Sequence, residues 1–260
     1  MADQFRVGVD IGGTFTDLVM INATTGRLFN EKVLTTPQDP SRCVLHGVEK
    51  ILQANNVAAA DVQQIIHGTT LVANAVIERR GAAVALITTK GFGDIQEIGT
   101  ELRYDTYDLF METPEPLVPR HWRYGVVERI GPNGEVITPL DEESVKEAAR
   151  RIAATEVTAV AISLLHGFRN PIHEQRIREI VLEVAPDLVV CISSDVMPEI
   201  GEYERTSTTI CNAYVLPVFD SYLRRLTGGL REMGIDKELY MMLSDGGTVH
   251  ESTAAAYPIR

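Results

Sequence analysis

The hydrophobic positions of the chain first follow the alternation of strands and then the spacing of a helix. An apolar run that begins at Phe5 predicts a first strand, and further strands are predicted at residues 18–21 and 28–34. A helix follows, because Asp39-Pro40-Ser41 is a start signal and the apolar residues between 44 and 52 fall on one helical face. Three strands before the first helix predict a sheet that opens with antiparallel pairs.

Strands and helices alternate over the rest of the chain. This order predicts an α/β fold with a largely parallel sheet. A long helical segment from residue 202 to 233 is predicted to be interrupted at Pro217 and at Gly228-Gly229. The other predicted strands are residues 65–66, 82–88, 124–130, 158–165, 188–193 and 239–243, and the other predicted helices are residues 70–81, 141–154 and the segment opened by residues 170–171.

The composition is that of a globular protein with an acidic surplus. The chain has 260 residues and a formal net charge of −12. No basic excess is present to meet phosphate backbones, which argues against a nucleic-acid or anionic-membrane partner. No stretch approaches ~18 consecutive apolar residues, so a membrane-spanning helix is not expected. The cysteines Cys43, Cys191 and Cys211 are far apart and fit a reducing, cytoplasmic compartment.

Two kinds of hydrolytic site lack support in the sequence. The six histidines form no HExxH or other metal-binding pattern, so zinc-dependent amide hydrolysis is unsupported. No GxSxG turn marks a nucleophilic serine.

The densest polar motif is residues 10–17 (DIGGTFTD), at the end of the first predicted strand. Its two glycines let backbone N–H groups approach an anion, and Thr14 and Thr16 add hydroxyl donors. No lysine follows the glycines, so the motif is not a P-loop. The pattern predicts a strand–turn–strand phosphate site in which Asp10 and Asp17 hold a hydrated Mg2+. The alternative is an ordinary hairpin with two turn glycines.

Two later motifs also lie where predicted strands end. Residues 67–70 (HGTT) stand between a strand and a helix, where N–H groups and hydroxyls could contact a phosphate or a substrate oxygen. The alternative is a plain strand end with a helix cap. Residues 244–247 (SDGG) are a second strand-to-glycine turn, for which the alternative is a loop with flexible glycines.

Charged side chains mark two further candidates. Glu199, Glu202, Glu204 and Arg205 cluster at the start of the long helix. Acids at a helix N-terminus are favoured by the helix dipole alone, so a solvated helix start is the default interpretation. Residues 103–105 (RYD) lie in a segment without periodicity, where substrate contacts are plausible.

Taken in order, these motifs resemble one family across essentially the whole chain. DIGGTFTD resembles the first phosphate motif of the hydantoinase/oxoprolinase family, which includes the A-type subunits of ATP-dependent hydantoinases, 5-oxoprolinases and acetone-carboxylase-like enzymes. The resemblance continues through residues 67–70, 74–75, 103–105, 198–199, 202–206, 212–214 and 244–247.

The resemblance implies a fold and a chemistry. The fold is the N-terminal lobe of an actin-like ATPase, related to sugar kinases and ribonuclease H-like proteins, with a mixed sheet. The cofactors are ATP and Mg2+, and the reaction is phosphorylation of a cyclic amide such as hydantoin, 5-oxoproline or another lactam to drive its hydrolysis. The alternatives are an acetone-carboxylase-like subunit that phosphorylates bicarbonate or a ketone, and a catalytically inactive binding module. A sugar kinase shares the glycine motif but fits the later segments poorly.

The resemblance also implies roles for residues, and it suggests that the charged cluster at the start of the long helix faces the cleft. Asp10, Asp17 and His67 are the catalytic candidates, and Asp10 and Asp17 are the metal ligands. Asp245 stands where the family more often has Asn, so a nucleotide contact is not expected of its side chain. The cofactor-binding candidates are Gly12, Gly13, Thr14, Thr16, Gly246 and Gly247, and the substrate-binding candidates are Thr69, Thr70, Asn74, Arg103, Glu204 and Arg205.

A division of the chain and a set of partners are implied as well. Residues 1–185 correspond to the family's N-terminal domain, and residues 186–260 to the start of its A-type second domain. Family members are longer and carry a second phosphate turn, so this chain is expected to supply half of a nucleotide clamp, as a fragment or as a truncated protein. The expected partners are a B-type subunit or domain and further copies in an oligomer.

Overall fold

The antiparallel opening predicted from the sequence is present in the computed structural model, which describes residues 4–100, 105, 107–110, 112 and 114–259. The chain divides into two compact units. Unit 1 comprises Met1–Arg79 and Val218–Pro258, and unit 2 comprises Arg80–Pro217. The chain therefore leaves unit 1 and returns to it. The predicted division into residues 1–185 and 186–260 stays a prediction.

Unit 1 is built on a mixed sheet. Its strands are β1 (Phe5–Ile11), β2 (Phe15–Asn22), β3 (Leu28–Leu34), β4 (Val62–Thr69), β11 (Leu239–Met242) and β12 (Thr248–His250). Strand β1 pairs antiparallel with β2 and parallel with β4, and β4 pairs parallel with β11. Their order across the sheet is β12-β11-β4-β1-β2-β3. Parallel neighbours require a long crossover connection, and between β4 and β11 that connection contains all of unit 2.

Alternation along the first strands separates a core face from a solvent face. Val9 of β1 and Leu18 of β2 are buried, whereas Asp10 and Asp17 are exposed. Successive side chains of a strand point to opposite faces, so the two acids share the uncovered face. The core face forms one hydrophobic cluster with α1 (Pro40–Ala54), through Val44, Val48 and Ile51, and with the last part of α7 (Glu202–Glu232), through Phe219, Leu223 and Leu226.

Unit 2 is built on a parallel sheet in the order β10-β9-β5-β6, formed by β5 (Val84–Thr89), β6 (Arg123–Val126), β9 (Ala159–Ser163) and β10 (Val189–Ile192). Every residue of β5 and β9 is buried, as is usual for strands covered on both faces. The helices α4 (Glu142–Ala153) and α5 (Ile172–Val184) pack on this sheet through buried Val and Ile side chains. The shorter elements are β7 (Arg129–Ile130), β8 (Val136–Thr138), α3 (Ile95–Ile98), α6 (Ser193–Val196) and a 3-10 turn Arg120–Trp122 in unit 2, and α2 (Leu71–Ile77), α8 (Glu251–Ala256) and a 3-10 turn Ala59–Asp61 in unit 1.

The predicted interruptions of the long helix are wrong. α7 runs as one helix from residue 202 to 232 with Pro217 inside it. Gly229 has a packing role instead, because an added Cβ would lie 2.3 Å from Leu45 Cδ1 of α1. Glycine therefore allows α1 and α7 to approach closely. The sequence also missed β12 and α8, and it joined β6 and β7 into one strand. None of the helices within the described ranges has the length and apolar character that a membrane crossing requires.

Candidate functional site

Asp10 and Asp17 lie opposite each other at the end of the first hairpin. They are Cα partners in the antiparallel register of β1 and β2, and both are exposed. Directly opposed residues of an antiparallel pair point to the same face, with Cβ atoms about 5 Å apart. The two carboxylates therefore share the solvent face of the unit 1 sheet. Their role as metal ligands stays a prediction.

Lys32 of β3, which the sequence analysis did not single out, extends this row of charges. It is the Cα partner of Asp17, and its Nζ lies 2.9 Å from Asp17 Oδ1. Both side chains are more than half exposed, so the ion pair contributes little to folding stability. Its effect is to place a cation near a glycine turn that has no lysine of its own. The register between β2 and β3 brings these two residues together, so no local sequence motif could have predicted their contact.

Hydrogen bonds from Thr35 fix the glycine turn. Its N–H donates to Thr14 O and its Oγ1 donates to Gly12 O, each over 2.9 Å. Gly12 N–H donates to Phe15 O over 2.9 Å, and an added Cβ on Gly12 would lie 2.9 Å from the same oxygen. The turn itself therefore requires Gly12. No atom lies within 4 Å of an added Cβ on Gly13, so Gly13 and the exposed Thr14 face open space in which an anion has room.

Thr16 does not face this space. Its side chain is fully buried, its Oγ1 donates to Cys43 Sγ over 3.2 Å, and the Oγ1 atoms of Thr16 and Thr35 lie 3.0 Å apart. Cys43 Sγ in turn donates to Pro40 O over 3.0 Å. These contacts correct the predicted phosphate-binding role of Thr16. Alternation along β2 turns this side chain toward the core, where its hydroxyl supports the turn from below.

Gly68 of the HGTT motif leaves room for the Asp10 carboxylate. β4 lies parallel beside β1, and Gly68 is the Cα partner of Asp10. An added Cβ on Gly68 would lie 3.2 Å from Asp10 Oδ1, which is tighter than ordinary van der Waals contact. The glycine of this motif therefore belongs to the immediate surroundings of Asp10.

Replacing Gly68 by Ala is expected to move the Asp10 carboxylate and so to weaken binding at the predicted Mg2+-ATP site by about 3- to 10-fold. Unfolding free energy should stay constant or rise slightly, because Ala restricts the unfolded chain more than Gly does. Calorimetric titration with Mg2+-ATP and thermal unfolding measure the two effects. Gly8→Ala is the matched control, since its added Cβ would lie 3.8 Å from Val19 O and disturb nothing. Equal affinities for the two variants would contradict the assignment of Gly68.

His67 lies in the core of unit 1. Its side chain is fully buried, Nε2 lies 2.5 Å from Tyr222 OH, and Nδ1 lies 3.3 Å from Val9 O. Burial lowers the pKa of His67 to about 4, so the ring is neutral at physiological pH. This position differs from the predicted one beside the substrate, because alternation along β4 points His67 and Gly68 to opposite faces.

Acidification is expected to destabilise the chain through His67. Its folded-state pKa of about 4 lies below the ordinary value of 6.5, so its contribution to stability is complete above about pH 6.5 and is lost as the pH falls toward 4. The full loss corresponds to about 3 kcal/mol. Urea unfolding at a series of pH values should show this loss in the wild type and a flatter curve in His67→Gln. Parallel curves for the two proteins would mean that His67 titrates equally in the folded and unfolded states.

The other polar residues of this segment make local contacts at the start of α2. Thr69 Oγ1 accepts a hydrogen bond from Leu71 N over 3.1 Å, and Thr70 Oγ1 accepts one from Asn74 Nδ2 over 3.2 Å. Thr70 and Asn74 are exposed. The contacts fit the plain strand end that the sequence left as an alternative, although Thr70, the N-cap residue of α2, makes no side-chain capping hydrogen bond. Substrate binding by Thr69, Thr70 and Asn74 stays a prediction.

Residues 244–247 form a tight turn between β11 and β12. Leu243 N–H donates to Gly247 O over 2.8 Å, and Gly246 has a positive φ of 86° that favours glycine. Asp245 Oδ1 accepts a hydrogen bond from Gly247 N over 2.7 Å. Aspartate thus closes its own turn, which accounts for an acid at this position. Nucleotide binding by Gly246 and Gly247 stays a prediction.

Three of these segments meet at one edge of the unit 1 sheet. β1, β4 and β11 are parallel, so the glycine turn, Thr69-Thr70 and residues 244–247 all follow the carboxyl ends of neighbouring strands. In open α/β sheets, ligands bind at the carboxyl ends of the strands. The arrangement therefore concentrates the candidate residues of unit 1 where a ligand is expected.

Arg205 of unit 2 is committed to partners within the protein. It is 1% exposed, and its guanidinium donates to Ser193 Oγ, Glu199 O and Leu164 O over 3.2, 2.9 and 2.9 Å. Burial lowers the pKa of Arg205. These contacts correct its predicted substrate-binding role, since no N–H group is directed to solvent from so deep a position. Of the remaining candidates, Glu204 is exposed on α7, and Arg103 lies outside the described residues.

The donor set of unit 1 suits Mg2+. Among the residues that the structure describes, no group of three or more His, Cys, Asp or Glu side chains could hold a metal ion. Mg2+ does not need such a group, because it keeps several waters and binds through one or two carboxylates together with phosphate oxygens. Asp10 and Asp17 offer these two carboxylates beside the open space at Gly13.

Family models cover most of the chain. The hydantoinase/oxoprolinase N-terminal region matches residues 6–185, and the hydantoinase/oxoprolinase model matches residues 205–260. The chain belongs to the hydantoinase/oxoprolinase family. A relative in this family is the caprolactamase subunit alpha of Pseudomonas jessenii, which is 37% identical over 250 residues. The match covers 94% of this chain and 36% of that subunit, so the chain spans little more than a third of its relative.

Two solved structures show how far the likeness to the family extends in three dimensions. Nucleotide-free acetone carboxylase superposes with a TM-score of 0.89 at 30% identity, over 99% of this chain and 39% of that one. The ATP-dependent caprolactamase from Pseudomonas jessenii superposes with a TM-score of 0.87 at 35% identity, over 98% and 39% of the two chains. The chain therefore has the mixed α/β, actin-like ATPase-type fold, which confirms the fold and the family predicted from the sequence.

Proposed function

We propose that this chain provides the Mg2+- and ATP-binding part of an enzyme that uses ATP to open a cyclic amide. The observation that carries the proposal is geometric: Asp10, Asp17 and the open space at Gly13 share one edge of one sheet. Similarity to an ATP-dependent caprolactamase over 98% of the chain supports both the nucleotide and the class of substrate. Because the chain spans 39% of that protein, the activity of the whole enzyme is part of the proposal.

Within the proposal, the residues of unit 1 act by position and charge. Asp10 and Asp17 bind Mg2+, the N–H groups at Gly13 and Thr14 bind phosphate oxygens, and Lys32 balances the charge of Asp17. When bound, ATP would supply its γ-phosphoryl group to the carbonyl oxygen of the amide, with ADP as the leaving group, and addition of water to the activated carbon would then open the ring and release phosphate. Phosphoryl transfer is catalysed mainly by positioning and electrostatic stabilisation, so a site without a nucleophilic side chain is sufficient.

A second candidate function follows from the likeness to acetone carboxylase, whose TM-score is 0.89. In that case the same ATP site would serve the phosphorylation of bicarbonate or a ketone, and the two functions would differ only in the acceptor. Both candidates include a second, B-type subunit in an oligomeric, cytoplasmic enzyme, since the caprolactamase relative is itself one subunit of its enzyme.

The test is ATP turnover by the full-length protein, purified together with its partner subunit, in the presence of different acceptors. Stimulation by hydantoin, 5-oxoproline or caprolactam would support the cyclic-amide function, and stimulation by bicarbonate with acetone would support the carboxylase function. Binding of Mg2+-ATP without turnover would indicate a binding module. Failure to bind Mg2+-ATP would contradict the proposal.

A further inference from the structure

We propose that Tyr222 is a positioning residue for Asp10 and acts on it through His67. The idea rests on the proposed function, because it concerns the residue that would bind Mg2+. Tyr222 lies in the last part of α7, among apolar residues, and is 1% exposed. Its phenol ring belongs to the hydrophobic cluster of unit 1, but its hydroxyl is directed at the strands below the glycine turn.

A chain of two hydrogen bonds leads from α7 to β1. Tyr222 OH lies 2.5 Å from His67 Nε2, and His67 Nδ1 lies 3.3 Å from Val9 O. Val9 is the residue immediately before Asp10. The chain of contacts thus connects a helix, the strand β4 and the last residues of β1.

The protonation states determine which group donates in each of the two hydrogen bonds. Burial lowers the pKa of His67 to about 4, so at neutral pH the ring carries one proton. The backbone oxygen of Val9 accepts only, so that proton sits on Nδ1 and donates to Val9 O. Nε2 must then accept from the Tyr222 hydroxyl. Burial also raises the pKa of Tyr222, which keeps the hydroxyl protonated as a donor.

The register places these contacts directly beneath Asp10. Val9 and His67 are Cα partners on the core face, and the next pair, Asp10 and Gly68, lies on the solvent face. The hydrogen bonds therefore hold β1 to β4 one residue away from the carboxylate. Gly68 leaves room for the Asp10 carboxylate, whose Oδ1 would lie only 3.2 Å from a Cβ added at Gly68. A small shift between the two strands would move the carboxylate relative to a bound cation.

His67 and Tyr222 form a buried, hydrogen-bonded pair beside the apolar side chains of the unit 1 cluster. Apolar contacts are non-directional, whereas hydrogen bonds fix the separation and orientation of the groups that they join. The other half of the hairpin is fixed in the same manner, since Thr16 of β2 donates to Cys43 of α1. Hydrogen bonds on the core face of the sheet thus connect β2 directly to α1 and connect β1, through His67 of β4, to α7.

The experiment compares Tyr222→Phe with Tyr214→Phe in the full-length protein. Each change removes the hydroxyl of a buried tyrosine of α7, but only the first breaks the contact to His67. In Tyr222→Phe we expect Mg2+-ATP affinity and kcat to fall on the order of 10-fold, as for a slightly misplaced catalytic group. KM for the acceptor should change by less than about twofold. Hydrogen–deuterium exchange should accelerate in peptides covering residues 5–14 and 62–70, and Tyr214→Phe should resemble the wild type in all three measurements.

A double-mutant cycle distinguishes a connected pair from two independent defects. His67→Gln should reproduce the loss of Mg2+-ATP affinity, and the double variant should be no weaker than the weaker single variant. Additive losses would overturn the proposed action through His67.

Two further outcomes separate this inference from the proposed function. Wild-type Mg2+-ATP affinity and wild-type exchange in Tyr222→Phe would overturn the positioning role while leaving the proposed function intact. If the wild-type protein itself binds no Mg2+-ATP, the proposed function fails, and exchange in β1 and β4 alone decides the role of Tyr222. Unchanged exchange would then overturn it.

Discussion

Replacing Asp10 by Asn is expected to lower ATP turnover of the full-length protein on the order of 10²- to 10³-fold. Asn keeps the size of the side chain but removes the charge that would hold Mg2+. Asp10 is exposed on the sheet face, so the free energy of unfolding should change by less than about 0.5 kcal/mol. Steady-state ATP hydrolysis over a range of Mg2+ concentrations, together with thermal unfolding, measures both effects.

The control for Asp10 is Asp236→Asn. This carboxylate also belongs to unit 1, but it is 93% exposed and 3.9 Å from Arg231, away from the glycine turn. Turnover by Asp236→Asn should equal that of the wild type. If Asp10→Asn also keeps its turnover, Asp10 is not a metal ligand, and the proposed function loses the observation on which it rests.

Arg205→Met is expected to destabilise unit 2 by about 3–5 kcal/mol, because it removes one member of a buried charged network. Arg205 donates to the Ser193 hydroxyl, which in turn donates to Glu174 Oε1 over 2.6 Å. Glu174 also accepts from the backbone N–H groups of Leu164 and Ser194, each over 2.9 Å. Burial raises the pKa of Glu174, and losing the nearby guanidinium would leave this carboxyl group without a compensating cation.

Urea unfolding, followed by a probe in unit 2, measures the loss. Arg178→Met is the matched control, because Arg178 is also in unit 2 and lies 2.8 Å from Asp195, with both side chains more than a third exposed. Breaking a surface pair of this kind costs about 0–1 kcal/mol. Similar losses in the two variants would show that Arg205 acts as an ordinary surface arginine and not as the centre of the network.

Much of the fold could be predicted from the sequence, because the patterns that indicate strands and helix starts are local. The limits of β3 agree with the predicted strand at residues 28–34, and the start of α1 follows from a proline after an aspartate. The interruption of α7 was wrong for the opposite reason. Pro217 and Gly229 are helix breakers on local criteria, but tertiary packing outweighs this preference, and Leu45 even requires the glycine.

The candidate site could be predicted from the sequence only in part, because its geometry depends on the register between strands. The motif gave Asp10 and Asp17 as a pair, and alternation makes them neighbours on one face. Alternation could also have shown that Thr16 and His67 point to the core, but their polarity suggested a ligand instead. No local signal links Lys32 to Asp17 or Tyr222 to His67. The latter pair is separated by 155 positions in the sequence.

The two adjacent glycines of the first turn differ in whether they can be replaced by a residue with a side chain. A methyl group at Gly12 would collide with the chain's own Phe15 carbonyl, whereas one at Gly13 would enter empty space. We therefore expect Gly13→Ala to retain the hairpin while filling the volume that an anion needs. If the proposed function holds, such a protein would keep the fold that a partner subunit recognises and yet bind nucleotide weakly. It would show whether subunits recognise one another before, or only after, the nucleotide is in place.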